Sequence, residues 1–119
     1  IDSALKHQRP LLTEEALFFG VDHATMGLRL LNGWEMPASL GSAVGCHHEP
    51  QRADGLALAG IVHMADILSH AAGLGCSGEC GPPEARPEVM DMVPLRPEQL
   101  VDIASRVENK LGAIVGAFD

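Results

Sequence analysis

Apolar side chains recur every three or four residues along most of this chain, the spacing that gives a helix one buried stripe. Val21, Ala24, Leu28 and Leu31 make the first clear stripe, and Asp22 stands where it can cap the helix or oppose its dipole. Leu40, Ala43, Val44 and His47 make a second, in a helix expected to carry Pro37 at its first position and to hold His47 and His48 in its last turn. Pro50 disfavours helix at Glu49 and so sets that end. Leu58, Ile61, Val62, Ala65, Leu68 and Ala72 form the longest stripe, over residues 54–72. From Pro97 onward Leu100, Ala104, Val107, Leu111, Ile114 and Phe118 form the last. A short helix is expected to run from an N-cap at Thr13 to Phe19, with Glu14 and Glu15 in its first turn and Gly20 as its stop. The Gly- and Pro-rich residues 73–96 read as a long loop with one helical turn around Val89, and residues 1–12 as an irregular lead-in. Nothing alternates with period two, so no strand is predicted.

Composition supports the same class. The chain has three Phe, one Trp and no Tyr, so Leu, Val, Ile, Ala and Met must fill its core, which suits helix-on-helix packing. At 119 residues it is expected to be a single all-α domain, or part of one. The net charge of −8 argues against nucleic acid and against an anionic membrane, because no basic stripe is present to meet phosphates. No apolar run approaches the ~20 residues of a membrane span, and a soluble, cytoplasmic protein is expected. Three cysteines are a poor disulfide framework, so reduced thiols are expected.

Two groups of residues could carry chemistry. His23, His47, His48 and Asp66 offer the donors that Zn, Fe, Mn or Ni accept, and helices in a bundle can bring such donors together. The bland alternative is equally physical: histidines favour a helix C-terminus through its exposed carbonyls, and Asp66 is a polar residue at a core margin. Gly27, one turn from His23, leaves room for another segment to come close to the imidazole. His63, Asp66 and His70 share an arc beside the apolar face of their helix. The second group is Cys76 and Cys80 in "CSGEC", with Cys46 elsewhere; C-x3-C standing alone is weak as a zinc motif, and no base adjoins it to activate a thiol. The chain has no G-x-S-x-G, P-loop or G-x-G-x-x-G.

Taken in order, "EEALFFGVDHATMGLRLLNGWEMPASLGSAVGCHHEP" and "LALAGIVHMADILSHAAGLG" resemble the second half of an HDOD domain, the HD-related output domain of bacterial signalling proteins. The resemblance rests on Glu15, Gly20, "VDH" and the glycine after it, "LLNGWEMP", "HHEP" and "IVHMAD" with Asp66, and "LRPEQLVDIASRVENKLGAIVGAF" is similar to the family's closing helix. It implies an HD-like helical bundle, incomplete at its N-terminus, and a distant relation to the HD and HD-GYP phosphohydrolases. It also implies that His23, His47, His48 and Asp66 occupy positions that in those enzymes ligate metal or lie close to a ligand. Two departures stand against inherited catalysis: no His-Asp dipeptide occurs in the chain, and no "GYP" follows the paired histidines.

The implied function is a non-catalytic regulatory module in signal transduction, acting through protein or small-ligand contacts. The alternatives are a metal-dependent phosphohydrolase whose remaining ligands lie on another segment, and a structural module that binds metal through His47, His48 and Asp66, with Cys46 as a further donor. No cofactor is expected, with a divalent transition metal the one candidate. The expected partner is a signalling protein or the rest of a parent chain. Apolar faces left uncovered by a missing half would also make the chain associate as a homo-oligomer.

Overall fold

The computed structural model describes residues 10–74, 85–93 and 95–115, and within them every regular element is helical. The chain is all-α, as its periodicity predicts. In order the helices are α1 (Leu11–Phe19), α2 (His23–Gly33), α3 (Ala38–Gly45), α4 (Leu56–Ala71), α5 (Pro87–Met92) and α6 (Pro97–Val115), with a single 3-10 turn at Pro50–Arg52 between α3 and α4.

Local chemistry explains most of the boundaries. Gly20 takes the left-handed conformation (φ 73°) that closes α1. Asp22 caps α2, its carboxylate accepting the Thr25 backbone N–H at 2.7 Å and the Thr25 hydroxyl at 3.2 Å. This bond, the largest cause, holds the Asp22 carboxyl below the usual aspartate range, against the opposing effect of burial. α2 and α4 end in the same two-bond motif. Met36 N–H reaches Leu31 O and Glu35 N–H reaches Asn32 O; Leu74 N–H reaches Ser69 O and Gly73 N–H reaches His70 O. The left-handed position is Gly73 in one (φ 67°) and Glu35 in the other (φ 55°).

Four boundaries and one face differ from expectation. α1 begins at Leu11, with Pro10 as N-cap and Thr13 N–H already bonded to Pro10 O, so Thr13 lies inside the helix. Pro37 is the N-cap of α3 and not its first residue, a place its extended backbone (ψ 133°) suits. α3 stops at Gly45, which puts His47 and His48 in the turn beyond the helix. α4 starts two residues after Asp54, because Gly55 adopts φ 104° and the Asp54 N–H is taken by Ser42 Oγ at 2.8 Å. The buried side of α4 is Ala59, Gly60, His63 and Met64, whereas Ile61 is 56% exposed and Ala65 is exposed as well. Small side chains turn that face inward: a β-carbon at Gly60 would lie 3.4 Å from Val89 Cγ1, and Val89 is wholly buried. The helical turn expected around Val89 is α5, which supplies that side chain.

α4 is the hub, packing against α3, the 3-10 turn, α5 and α6, while α2 and α3 form the most intimate pair. That pair meets through glycine. A β-carbon at Gly27 would stand 2.7 Å from Val44 Cγ1, and one at Gly45 would stand 3.1 Å from Leu28 Cβ. The close approach expected at Gly27 is therefore made by the Val44 side chain, and it draws the end of α3 against the start of α2. Among the described residues the buried apolar side chains are few and mostly small (Leu11, Ala24, Ala43, Ala59, Met64 and Val89), and His47 and His63 are buried with them.

Candidate metal centre

The tight α2–α3 crossing brings the first turn of α2 beside the turn that follows α3, and three imidazoles meet there. His23 Nε2 lies 2.9 Å from His48 Nε2 and 3.4 Å from His47 Nε2, and one ligand nitrogen from each of the three rings falls within 4.8 Å of the other two. The rings are distinct in exposure: His47 is buried, His48 half-buried and His23 exposed.

Second partners fix how the rings present themselves. His47 Nδ1 donates to Val44 O at 2.6 Å, so in the neutral ring Nε2 carries the lone pair. His23 Nδ1 donates to Glu15 Oε2 at 2.7 Å, and the same oxygen accepts the His23 backbone N–H at 2.8 Å. Glu15 thereby anchors both the ring and the start of α2, across the Gly20 turn. His48 is pushed down to about 4, first by burial and then by the neighbouring His47 and His23 charges, with Asp66 opposing. At neutral pH it is an uncharged imidazole.

The donor set fits a divalent transition metal. Nitrogens bound to one ion at about 2.0–2.1 Å stand roughly 2.9–3.4 Å apart, the range of the two Nε2 separations above. A carboxylate or carbonyl on the remote nitrogen of a ligand histidine is also the usual second partner at such sites. His23, His47 and His48 would hold the ion through Nε2, where it would act as a Lewis acid or as a structural tie.

Of the four residues picked out in the sequence, the structure gathers these three, and Asp66 stands apart from the group. Its Oδ1 is 3.8 Å from His70 Nε2, and its Oδ2 is buried without a hydrogen-bond partner among the described residues. Its charge acts against the lowering of the His48 pKa, as a minor cause. Cys46 is a free, half-buried thiol outside the cluster, and Cys76 and Cys80 lie outside the described residues. Two residues of the site were not legible as such in the sequence. Glu15 is eight positions from His23 across a helix break, and His63, expected beside the apolar face, is 1% exposed and bonded to the His47 carbonyl.

Beside His48 a polar cleft of about 430 Å³ opens between the start of α2 and the 3-10 turn, lined by Asp22, Thr25, Cys46, Glu49, Arg52 and Arg86 among others. Arg52 is tied to Glu49 at 2.7 Å.

An all-α chain with a histidine cluster formed by the start of one helix and the turn after the next is the class that fold and site define. The family profile of the HDOD domain matches residues 1–50, a segment that includes His23, His47 and His48. Residues 1–50 are thus similar to the HDOD domain, a family of HD-related output domains. Comparison with curated proteins and with solved structures gives no match.

Proposed function

We propose that the chain is part of a non-catalytic regulatory module of signal transduction, which works by contact with a protein partner or with a small ligand. The observation that carries this reading is the donor set itself. The site is built of three imidazoles, and the Glu15 carboxylate is spent on the far nitrogen of His23. A hydrolase of the HD type needs carboxylate and histidine donors enough to hold metal and activate water, and the chain has no His-Asp pair to supply them. The cleft beside His48 is of a size for a small polar ligand, which supports the ligand-contact part of the reading. Leu17, Phe18 and Phe19 on α1, Met26 and Leu30 on α2, and Trp34 just after it are exposed, which supports association through these elements, with a second copy or another protein.

The test is hydrolysis of bis(p-nitrophenyl) phosphate and of cyclic dinucleotides with Mn(II), Fe(II) or Ni(II) supplied. No turnover above metal alone is expected. Turnover that His47→Ala abolishes would establish the phosphohydrolase reading in its place.

The convergence of three Nε2 atoms favours a second reading that is compatible with the first: the cluster binds a divalent transition metal in a structural or sensory role. Elemental analysis of protein purified without chelator is then expected to show stoichiometric metal, absent from the His47→Ala, His48→Ala double variant.

A further inference from the structure

We infer that His63 is a positioning residue for the histidine cluster, setting the His47–His48 peptide from which two of its three imidazoles project. The inference rests on the metal-binding reading above for its principal assay.

His63 lies on the buried face of α4 and is among the largest side chains wholly removed from solvent. Both of its ring nitrogens are engaged with backbone. Nδ1 is 2.8 Å from His47 O, and because a carbonyl can only accept, Nδ1 carries the proton. Nε2 is then the acceptor, and it takes the Arg86 N–H at 3.3 Å. One neutral tautomer satisfies both bonds, and no nitrogen is left to bind a ligand.

The acceptor is the carbonyl of the peptide that joins His47 to His48. Holding that oxygen fixes the plane of the peptide and, with it, the directions in which the two adjacent side chains leave the backbone. The turn has no helix to hold it, since α3 ends at Gly45 and the next regular element is the 3-10 turn at Pro50. Val44 O orients the His47 ring from one side and His63 holds the backbone from the other. Through Arg86 the same ring ties this turn to the residue that caps α5. The cluster is thus braced against α4 and α5, two elements that contribute no ligand to it. Partners of this kind around metal sites change affinity by about 10–100-fold when removed.

The experiment compares His63→Leu, which keeps apolar bulk and loses both bonds, with His63→Asn, whose amide nitrogen can still donate near the Nδ1 position. Co(II) titration of metal-free protein is followed by its visible absorption, and thermal unfolding of the metal-free variants reports the purely structural cost. His63→Leu is expected to bind Co(II) about 10–100-fold more weakly with an altered spectrum, and His63→Asn to recover most of the affinity. Wild-type affinity and spectrum in His63→Leu, or no recovery in a folded His63→Asn, would overturn the inference. Long-range ¹H–¹⁵N NMR on the metal-free wild type gives an independent reading and needs no variant to fold. It should find His63 with its proton on Nδ1, and a proton on Nε2 would overturn the inference as well. A wild type that binds no Co(II) refutes the metal reading, whereas the NMR result then decides the role of His63.

Discussion

Replacing Gly27 by alanine should destabilise the protein, although the same change in an open helix stabilises it. Alanine is favoured over glycine inside a helix by about 1 kcal/mol. Gly27 lies within α2, but its β-carbon would stand 2.7 Å from Val44 Cγ1, where an ordinary contact needs roughly 3.5–4 Å. Val44 must therefore retreat by close to 1 Å, or the α2–α3 crossing must open; forced overpacking of this kind costs about 1–3 kcal/mol. The net expectation is a loss of about 1 kcal/mol at Gly27. Gly112 serves as the control: it lies within α6 with nothing within 4 Å of its added β-carbon, so Gly112→Ala should gain up to about 1 kcal/mol. Urea unfolding followed by circular dichroism measures both. For a chain of this length the roughly 2 kcal/mol between them corresponds to about 8 °C in melting temperature. The double variant localises the cause, since in a Val44→Ala background Gly27→Ala should turn stabilising. Equal gains at Gly27 and Gly112 would refute the close crossing and, with it, the framework that brings His23 to His47.

Other outcomes follow from single residues. Glu35→Gly should raise stability by about 0.5–1 kcal/mol in the same unfolding assay, because Glu35 alone among the described non-glycine residues holds a left-handed backbone. Asp22→Ala should cost about 1 kcal/mol through loss of the α2 cap, and Asp22→Asn should recover most of it. Metal-free protein should lose stability on acidification. The folded pKa of His48 is pushed down to about 4 from an ordinary 6.5, so the unfolded chain binds the proton more readily, and stability present above 6.5 falls away as the pH drops towards 4. With the full shift discounted for the site's partial access to water, the loss is about 1–2 kcal/mol, and His48→Gln should remove it from the pH profile. Glu15→Gln should leave the fold intact but weaken Co(II) binding about 10-fold, by removing the carboxylate from His23 Nδ1.

What the sequence discloses depends on whether the cause is local. Asp22 as a cap, Gly20 as a stop, the helical turn at Val89 and the helix from Pro97 are all set by neighbouring residues, and each stands where it is read. Thr13 is a good capping residue, but Pro10 starts the helix earlier, and a competition between two adequate starts cannot be ranked by propensity. The buried face of α4 was misplaced for a different reason. Hydrophobic periodicity weights large side chains such as Ile61, while the packing selects Ala59 and Gly60 because they are small enough to admit Val89. At the site, the three histidines were visible as residue types with a family resemblance behind them. Their bracing was not, because the Glu15–His23 and His63–His47 bonds depend on how a helix break and two turns fold back in space.

The central claim is that His23, His47 and His48 form one site through their Nε2 atoms, and it is tested most directly by K-edge X-ray absorption of the protein loaded with one equivalent of Zn(II). The account predicts three imidazole nitrogens at about 2.0–2.1 Å, falling to two in His23→Ala. A shell made up of oxygen donors with no imidazole scattering, or a spectrum unchanged in His23→Ala, would contradict it.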